Sequence, residues 1–429
     1  MNAPSPTLDP ELALLRIRAV QGGPDDWMRL GQVLVAGEAP QEGFDLYRRA
    51  AEAGHVLGCI EYGRMLTFGV GCEVDAVAAA TWFGRAEAKG HPVAGYYLAL
   101  LAVGERAAPL DALINERVIA AVKAGFAPAL RAAALHFGRR PDAAEQQLCL
   151  HLLNRATGLG DAVAGLLLAA RLANGEGCIA QPDAAARLHE QLAAAGHAPL
   201  PALGERPATV EDAPGVALNT LALDATPRAA APVVLADAPR IVQVDGVLSA
   251  DECRLLMASA APHLRRSQVF DPRSHAVAPL ELRTSSDASF DPILEDLALR
   301  LAQRRIAEAA GTPLVNGEPL VVLRYQPGEQ YRPHRDYLAP SALAERQPNA
   351  GNRARTACVF LNHVEAGGET DFPLAGVRVA PQAGRAVVFD NLHADGRPDE
   401  DSLHAGLPVE QGEKWLATLW LRERACRAY

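Results

Sequence analysis

The strongest chemical signal in the chain is a histidine and an aspartate separated by one residue, His334-Arg335-Asp336. In a β-strand such positions face the same side, so one imidazole and one carboxylate can grip a single cation. A second imidazole from another strand would complete a two-histidine, one-carboxylate set. That set leaves coordination positions open and suits iron(II). The segment Ser402 to Trp415 offers the imidazole in His404, and Pro408 and Gly412 mark a turn beyond it. Across that turn, His404 and Lys414 can face one pocket. Only three lysines, Lys89, Lys123 and Lys414, stand among 41 basic residues. A lysine here, in an arginine-rich background, reads as a compact cationic anchor for a dicarboxylate. His363 follows a predicted strand and His393 lies in an acidic, turn-rich loop. Neither is spaced from such an anchor, and both read as surface or loop residues. Cys358, on a buried-looking strand, reads as a small core residue.

The elements that must position these residues are mostly strands. Apolar runs predict strands at Ile241–Val244, Leu320–Tyr325, Thr356–Leu361, Val377–Ala380, Arg385–Phe389 and Lys414–Leu421. Val233 to Leu235 is a further strand candidate. Ser249 and Glu252 form a capping-box pattern that opens a helix through about Ala261. A second helix is expected from about Pro292 to Ala310. Helices followed by short strands predict an α+β domain with a β-sandwich or barrel core. Segments 267–283 and 337–353 flank the His-x-Asp pair as loops and are candidates for a substrate lid.

Upstream the texture is different. Residues 1–198 are rich in Ala and Leu at helical spacing, and a helix-ending glycine recurs at Gly54, Gly90, Gly125, Gly160 and Gly196. A period of 35 or 36 residues means stacked helical hairpins, with each glycine past a helix C-terminus where positive φ is required. Gly69-Val70-Gly71 before Asp75 and Gly175-Glu176-Gly177 before Asp183 mark second turns. The pattern resembles the Sel-one-like repeats, relatives of the tetratricopeptide repeats, over about 15–197. That resemblance implies an all-α solenoid that binds a protein partner. His55 and His91, at turns without acidic or cysteine partners, read as solvated or capping groups. Residues 199–232 are rich in Pro and Ala and read as a linker, which leaves 233–429 for the second domain.

Together with the metal pattern, further motifs occur in order: Arg283-Thr284-Ser285, Glu318 to Tyr325, Gly328 to Tyr331, Arg353 to Thr356, Gly367-Gly-Glu-Thr-Asp-Phe-Pro373, His404-Ala-Gly and Lys414-Trp415. They resemble the prolyl 4-hydroxylase family over about 235–422. The resemblance implies a double-stranded β-helix (jelly-roll) core and a 2-oxoglutarate-dependent dioxygenase with iron(II) on His334, Asp336 and His404. Lys414 and Thr356 would bind the far carboxylate of 2-oxoglutarate, with Tyr325 donating to it. Tyr331 and Arg353 are the expected catalytic residues, and Glu318, Trp420 and Arg422 the expected substrate contacts. Arg422 departs from the histidine frequent in plant and algal relatives. Dioxygen is the second cosubstrate, and ascorbate is compatible as a reductant. The substrate implied is a proline in a protein or peptide, with the repeats recruiting that protein. The alternatives are the same chemistry on a small molecule or another side chain, or a repeat scaffold with a sensor or inactive oxygenase domain. Every iron and cosubstrate residue lies after Glu318, so a fragment from about residue 225 is expected to suffice for the chemistry.

Composition narrows the field. A net charge of −10 with no basic half argues against a nucleic-acid partner. No apolar run reaches about 18 residues, so no membrane span is expected. The N-terminus lacks a basic region and an apolar core, and seven scattered cysteines form no C-x-x-C pair. A reduced, cytoplasmic setting is the natural expectation.

Overall fold

The computed structural model describes residues 10–429 except 38, 105, 108–111, 204–216, 224–228, 272–275, 279–281 and 346–347. The chain divides into two compact units, Met1–Ala124 with Ala428–Tyr429, and Gly125–Arg427.

The first unit holds α1 (Pro10–Gln21), α2 (Pro24–Ala36), α3 (Pro40–Glu52), α4 (Val56–Phe68), α5 (Ala76–Glu87), α6 (Pro92–Ala102) and α7 (Ile114–Lys123). Their start signals are local. Proline opens α2, α3 and α6, where its missing N–H is an orphan in any case. The Asp75 side chain caps α5, and the His55 imidazole accepts from Gly58 N at 3.0 Å to cap α4. The repeat glycines have positive φ as the period requires, from 77° at Gly125 to 88° at Gly160. At Gly71 (φ +68°) a Cβ would also lie 2.5 Å from the Pro40 carbonyl oxygen, so the turn demands glycine twice over. Ala79, Phe83, Ala86 and Leu101 form the fully buried centre of this unit.

The second unit begins with four more repeat helices, α8 (Ala127–Gly138), α9 (Ala143–Gly158), α10 (Ala162–Asn174) and α11 (Pro182–Ala194). There follow β1 (Val233–Asp237), β2 (Arg240–Val244), α12 (Ala250–Ala260), β3 (Arg265–Arg266), β4 (Val269–Asp271), β5 (Ala276–Ala278), β6 (Ser286–Ser289), α13 (Leu297–Ala309), β7 (Val321–Tyr325), β8 (Tyr331–His334) and α14 (Pro340–Glu345). The C-terminal part adds β9 (Arg353–Phe360), β10 (Ala366–Gly367), β11 (Thr370–Phe372), β12 (Val377–Val379), β13 (Ala386–Asp390), β14 (His404–Gly406), β15 (Val409–Gln411) and β16 (Lys414–Arg422). The Ser249–Glu252 capping box forms in full at the start of α12. The lid candidates contain the β4–β5 hairpin and α14, and each lies partly outside the described residues.

The jelly-roll expectation is corrected by the strand pairing. Eight strands form one sheet in the order β1-β2-β13-β9-β16-β7-β6-β3, and four form another in the order β12-β11-β14-β8. Both sheets are open. Among the described residues no pairing joins the outer strands of either sheet, and no strand of one pairs with the other. The two are held together by side chains, not by a closed hydrogen-bond ladder: Tyr325, Phe360 and Phe389 of the large sheet share one buried cluster with Phe372 and Val379 of the small one. On its other face the large sheet carries α13, which packs on β9, β13 and β16. Strand β16 is therefore buried on both sides and reads as a nearly continuous apolar run.

Repeat helices and sheet helices of this unit are joined by buried ion pairs. Asp251, at the first turn of α12, accepts from Arg171 of α10 and from Arg254 (2.9 Å). Arg254 also donates to Glu176 at 2.6 Å. Arg139, the C-cap of α8, donates to Glu252 at 2.6 Å, and Arg131 bridges Asp161 to Asp296, the N-cap of α13. Of the stretch read as a linker, Leu221 and Leu223 are buried, and Ala222 N donates to His136 of α8 at 3.4 Å. The remainder includes 204–216 and 224–228, outside the described residues.

Candidate active site

Strands β8 and β14 pair antiparallel with His334 directly opposite His404. This register delivers the two imidazoles to one point, and Asp336 follows just beyond the end of β8. His334 Nε2 lies 3.7 Å from Asp336 Oδ1, and His404 Nε2 lies 3.6 Å from Oδ2. One ligand atom from each residue lies within 4.8 Å of the others, the one such group of three among the described residues. In each imidazole Nδ1 faces a backbone carbonyl, Arg332 O at 2.9 Å and Ser402 O at 3.0 Å. A carbonyl only accepts, so Nδ1 carries the proton and Nε2 turns its lone pair to the shared point. Burial and the neighbouring His404 push His334 down to about 3, which keeps it neutral at pH 7. Burial alone would raise Asp336, but His404, His334 and Arg353 outweigh it and the carboxyl lies below its usual range. Two imidazoles and one carboxylate, already oriented, fit a divalent iron centre.

A cavity of about 450 Å³, its open mouth included, runs from this triad to Lys414. Alternation on β16 places Lys414, Leu416, Thr418 and Trp420 on the cavity wall. Lys414 is 1% exposed, and its ammonium has rings at 5.2 Å (Tyr325) and 5.3 Å (Phe360) but no hydrogen bond or ion pair among the described residues. A buried cation without a counter-ion is costly unless a ligand supplies one, so the cavity fits an anion at this end. Tyr325, opposite Lys414 in the β7–β16 register, is raised to about 12 by burial and remains a phenol.

Thr356, read as a second cosubstrate contact, touches a metal-ligand residue. Its hydroxyl donates to Asp336 Oδ2 at 2.8 Å and accepts from Asn391 Nδ2 at 2.9 Å. Thr356→Val is expected to weaken iron binding about 10–100-fold, the usual effect of removing a group that orients a ligand. The KM for 2-oxoglutarate, measured at saturating iron, should barely change. A selective rise in that KM would return Thr356 to the cosubstrate. Two threonines that the sequence reading missed, Thr370 and Thr418, line the cavity. Alternation from Lys414 along β16 points to Thr418, and Thr370 stands in the quoted Gly367-Gly-Glu-Thr motif. Cys358, expected in the core, is buried and also lines the cavity.

At the mouth, Tyr331 stacks on His334 with ring centroids 3.4 Å apart. Arg353 donates to Glu318 from Nε (2.8 Å) and Nη2 (2.7 Å) and lies 3.9 Å over the Trp420 ring. Arg422 is placed with its Nε 2.6 Å from Glu318 Oε1 while Nη1 donates to Gly351 O at 2.7 Å. It is 4% exposed, so it braces Glu318 from within rather than reaching toward a substrate. His363 and His393 are exposed and stand outside the ligand cluster.

The family model for the 2OG-Fe(II) oxygenase superfamily matches residues 320–422, which include all three triad residues and Lys414. Prolyl 4-hydroxylase 1 of Arabidopsis thaliana is 36% identical over 208 residues, covering 45% of this chain and 72% of that protein. The chain belongs to the prolyl 4-hydroxylase family. Of solved structures, the viral collagen prolyl hydroxylase of Paramecium Bursaria Chlorella virus-1 is 27% identical, with a TM-score of 0.35 over 44% of this chain and 98% of that one. A Sel1 repeat protein from Oxalobacter formigenes is 21% identical, with a TM-score of 0.36 over 44% of this chain and 76% of that one. As a member of the prolyl 4-hydroxylase family, the protein is an iron(II)- and 2-oxoglutarate-dependent dioxygenase preceded by helical repeats.

Proposed function

We propose that this dioxygenase hydroxylates a proline within a protein or peptide and that the first repeats recruit that protein. The observation that carries the reading is the cavity wall beside the triad, formed there by Tyr331 and Trp420, with Arg353 lying 3.9 Å over the Trp420 ring. Such a wall suits a pyrrolidine ring flanked by peptide carbonyls. When bound, iron(II) with 2-oxoglutarate and dioxygen supplies the oxidation, leaving succinate, carbon dioxide and a hydroxylated substrate. The chain's own residues supply the rest. His334, Asp336 and His404 hold the metal, Lys414 and Tyr325 fix the dicarboxylate, and Leu323 and Leu416 keep water from the cavity wall. Stacked repeats offer an extended surface for a protein partner. Mass spectrometry of proline peptides incubated with the full chain, iron(II) and 2-oxoglutarate tests the reading. The expected result is a peptide-dependent gain of one oxygen on proline. Oxygen appearing only on other side chains would overturn it.

Lys414 sets a pH limit on this activity. Burial lowers its ammonium to about 8 in the empty cavity. Below that pH the cation is present to pair with the carboxylate, and above it the neutral amine is not. The kcat/KM for 2-oxoglutarate is therefore expected to fall as pH rises through about 8, with saturating cosubstrate hiding much of the loss. Lys414→Ala should raise that KM by about one to two decades, the loss of roughly 1.5–3 kcal/mol from a charge-assisted hydrogen bond. A flat profile in the wild type would remove Lys414 as the anchor.

A further inference from the structure

Asp336 and His404 lie far apart in sequence, yet one chain of hydrogen bonds runs from the first to the second. Thr356 donates its single hydroxyl proton to Asp336 Oδ2 at 2.8 Å. A group facing the lone pairs of that hydroxyl must then be a donor, and Asn391 Nδ2 lies there at 2.9 Å. Asn391 directly follows β13, and its backbone continues the chain. Its carbonyl accepts from Asp399 N at 2.9 Å. The Asp399 carbonyl accepts from Ser402 N at 3.2 Å and from Ser402 Oγ at 2.7 Å. The Ser402 carbonyl accepts from His404 Nδ1 at 3.0 Å. Of the four residues between the two ligands, Thr356, Asn391 and Ser402 are 0% exposed and Asp399 is 5% exposed.

Asn391 Oδ1 is buried too, and has no hydrogen-bond partner among the described residues. An unmatched buried acceptor destabilises a fold, so for packing alone a leucine of similar volume would serve better. What the amide supplies, and leucine cannot, is a proton directed at Thr356. We infer that Asn391 is a positioning residue that holds two metal ligands in place before the metal arrives. Its side chain fixes the Thr356 hydroxyl and through it Asp336, and its carbonyl anchors the turn that orients His404. The inference rests on the metal triad described above. Aspartate has the same shape as asparagine but cannot donate, and it would draw the Thr356 proton away from Asp336.

The test uses full-length protein without oxygen and Mn(II) as the probe, with Kd read from the electron paramagnetic resonance of the free ion. N391L is expected to bind Mn(II) about tenfold more weakly than wild type. In a T356V background the same substitution should cost nothing further, because the residue it acts through is already gone. A side chain that only filled space would weaken both backgrounds alike. A thermal melt of metal-free protein confirms that each variant is folded. Should N391L fail to fold, N391D takes its place with the same expectations. In metal-free wild type, hydrogen–deuterium exchange should find the amides of Asp399 and Ser402 protected. Wild-type affinity in N391L overturns the inference, and so does an equal loss in the T356V background or rapid exchange at Asp399 and Ser402. H404A separates this outcome from failure of the triad. If H404A binds Mn(II) as tightly as wild type, the triad is misassigned and the inference falls with it. If H404A loses Mn(II) while N391L keeps it, only the role of Asn391 is overturned.

Discussion

Replacing Asp251 by alanine is expected to lower the melting temperature by about 6–20 °C while leaving turnover per folded molecule near wild type. Asp251 is 2% exposed and lies between Arg171 and Arg254, themselves 1% and 3% exposed. Without it two buried guanidinium groups share the single carboxylate of Glu176. Breaking a buried pair by removing one partner costs about 3–5 kcal/mol, because the other charge remains in place without its counter-ion. That is a large part of the 5–15 kcal/mol by which domains are typically stable, and for large domains each kcal/mol moves the melt by about 2–4 °C. No member of this network lines the cavity, so succinate formation at low temperature should persist. An unchanged melt would show that the network contributes nothing to the fold. The same network bears on fragments. A chain starting near residue 225 loses Arg131, Arg139, Arg171 and Glu176 together and is expected to lack a cooperative melt. One starting near 125 keeps them and should retain it. Circular dichroism separates the two, and a cooperative melt with full activity from the shorter fragment would sink the argument.

His404→Ala should reduce both iron content and succinate formation to background. It removes one of two imidazoles that bring oriented Nε2 atoms to Asp336, and leaves a two-ligand site that should lose metal on gel filtration. His393→Ala is the matched control. That ring is 47% exposed, lies 3.7 Å from Asp399 and belongs to no ligand cluster, so its loss should change neither quantity. If the control loses iron while His404→Ala keeps it, the ligand set is misassigned.

Much of this site was legible because its parts are either adjacent or regularly spaced. His334 and Asp336 stand two residues apart where β8 ends, and His404 and Lys414 are separated by a turn that sequence alone marks. The repeat glycines were legible for a related reason: a helix end that needs positive φ leaves few choices of residue. What escaped was set by pairing between distant strands. Thr356 and Cys358 share one face of β9, and only the placement of that strand beside β16 decides which of them meets Asp336 and which lines the cavity near Lys414. The shape of the core escaped too, since alternation along short strands is the same whether two sheets close on each other or remain open. The attachment of α8–α10 to α12 and α13 rests on arginines that, in sequence, look like solvated helix faces.

The register of His334 against His404 has a consequence beyond catalysis. These residues are about seventy positions apart, and β8 is the outermost strand of the small sheet. An ion held by both behaves as a reversible cross-link, closing a long loop whose entropy the unfolded chain would otherwise keep. Iron depletion then does more than silence the enzyme: it unfastens a sheet margin. Backbone amides of β8 should exchange with deuterium faster as iron is withdrawn, and a protease present during iron starvation should find its first cut there.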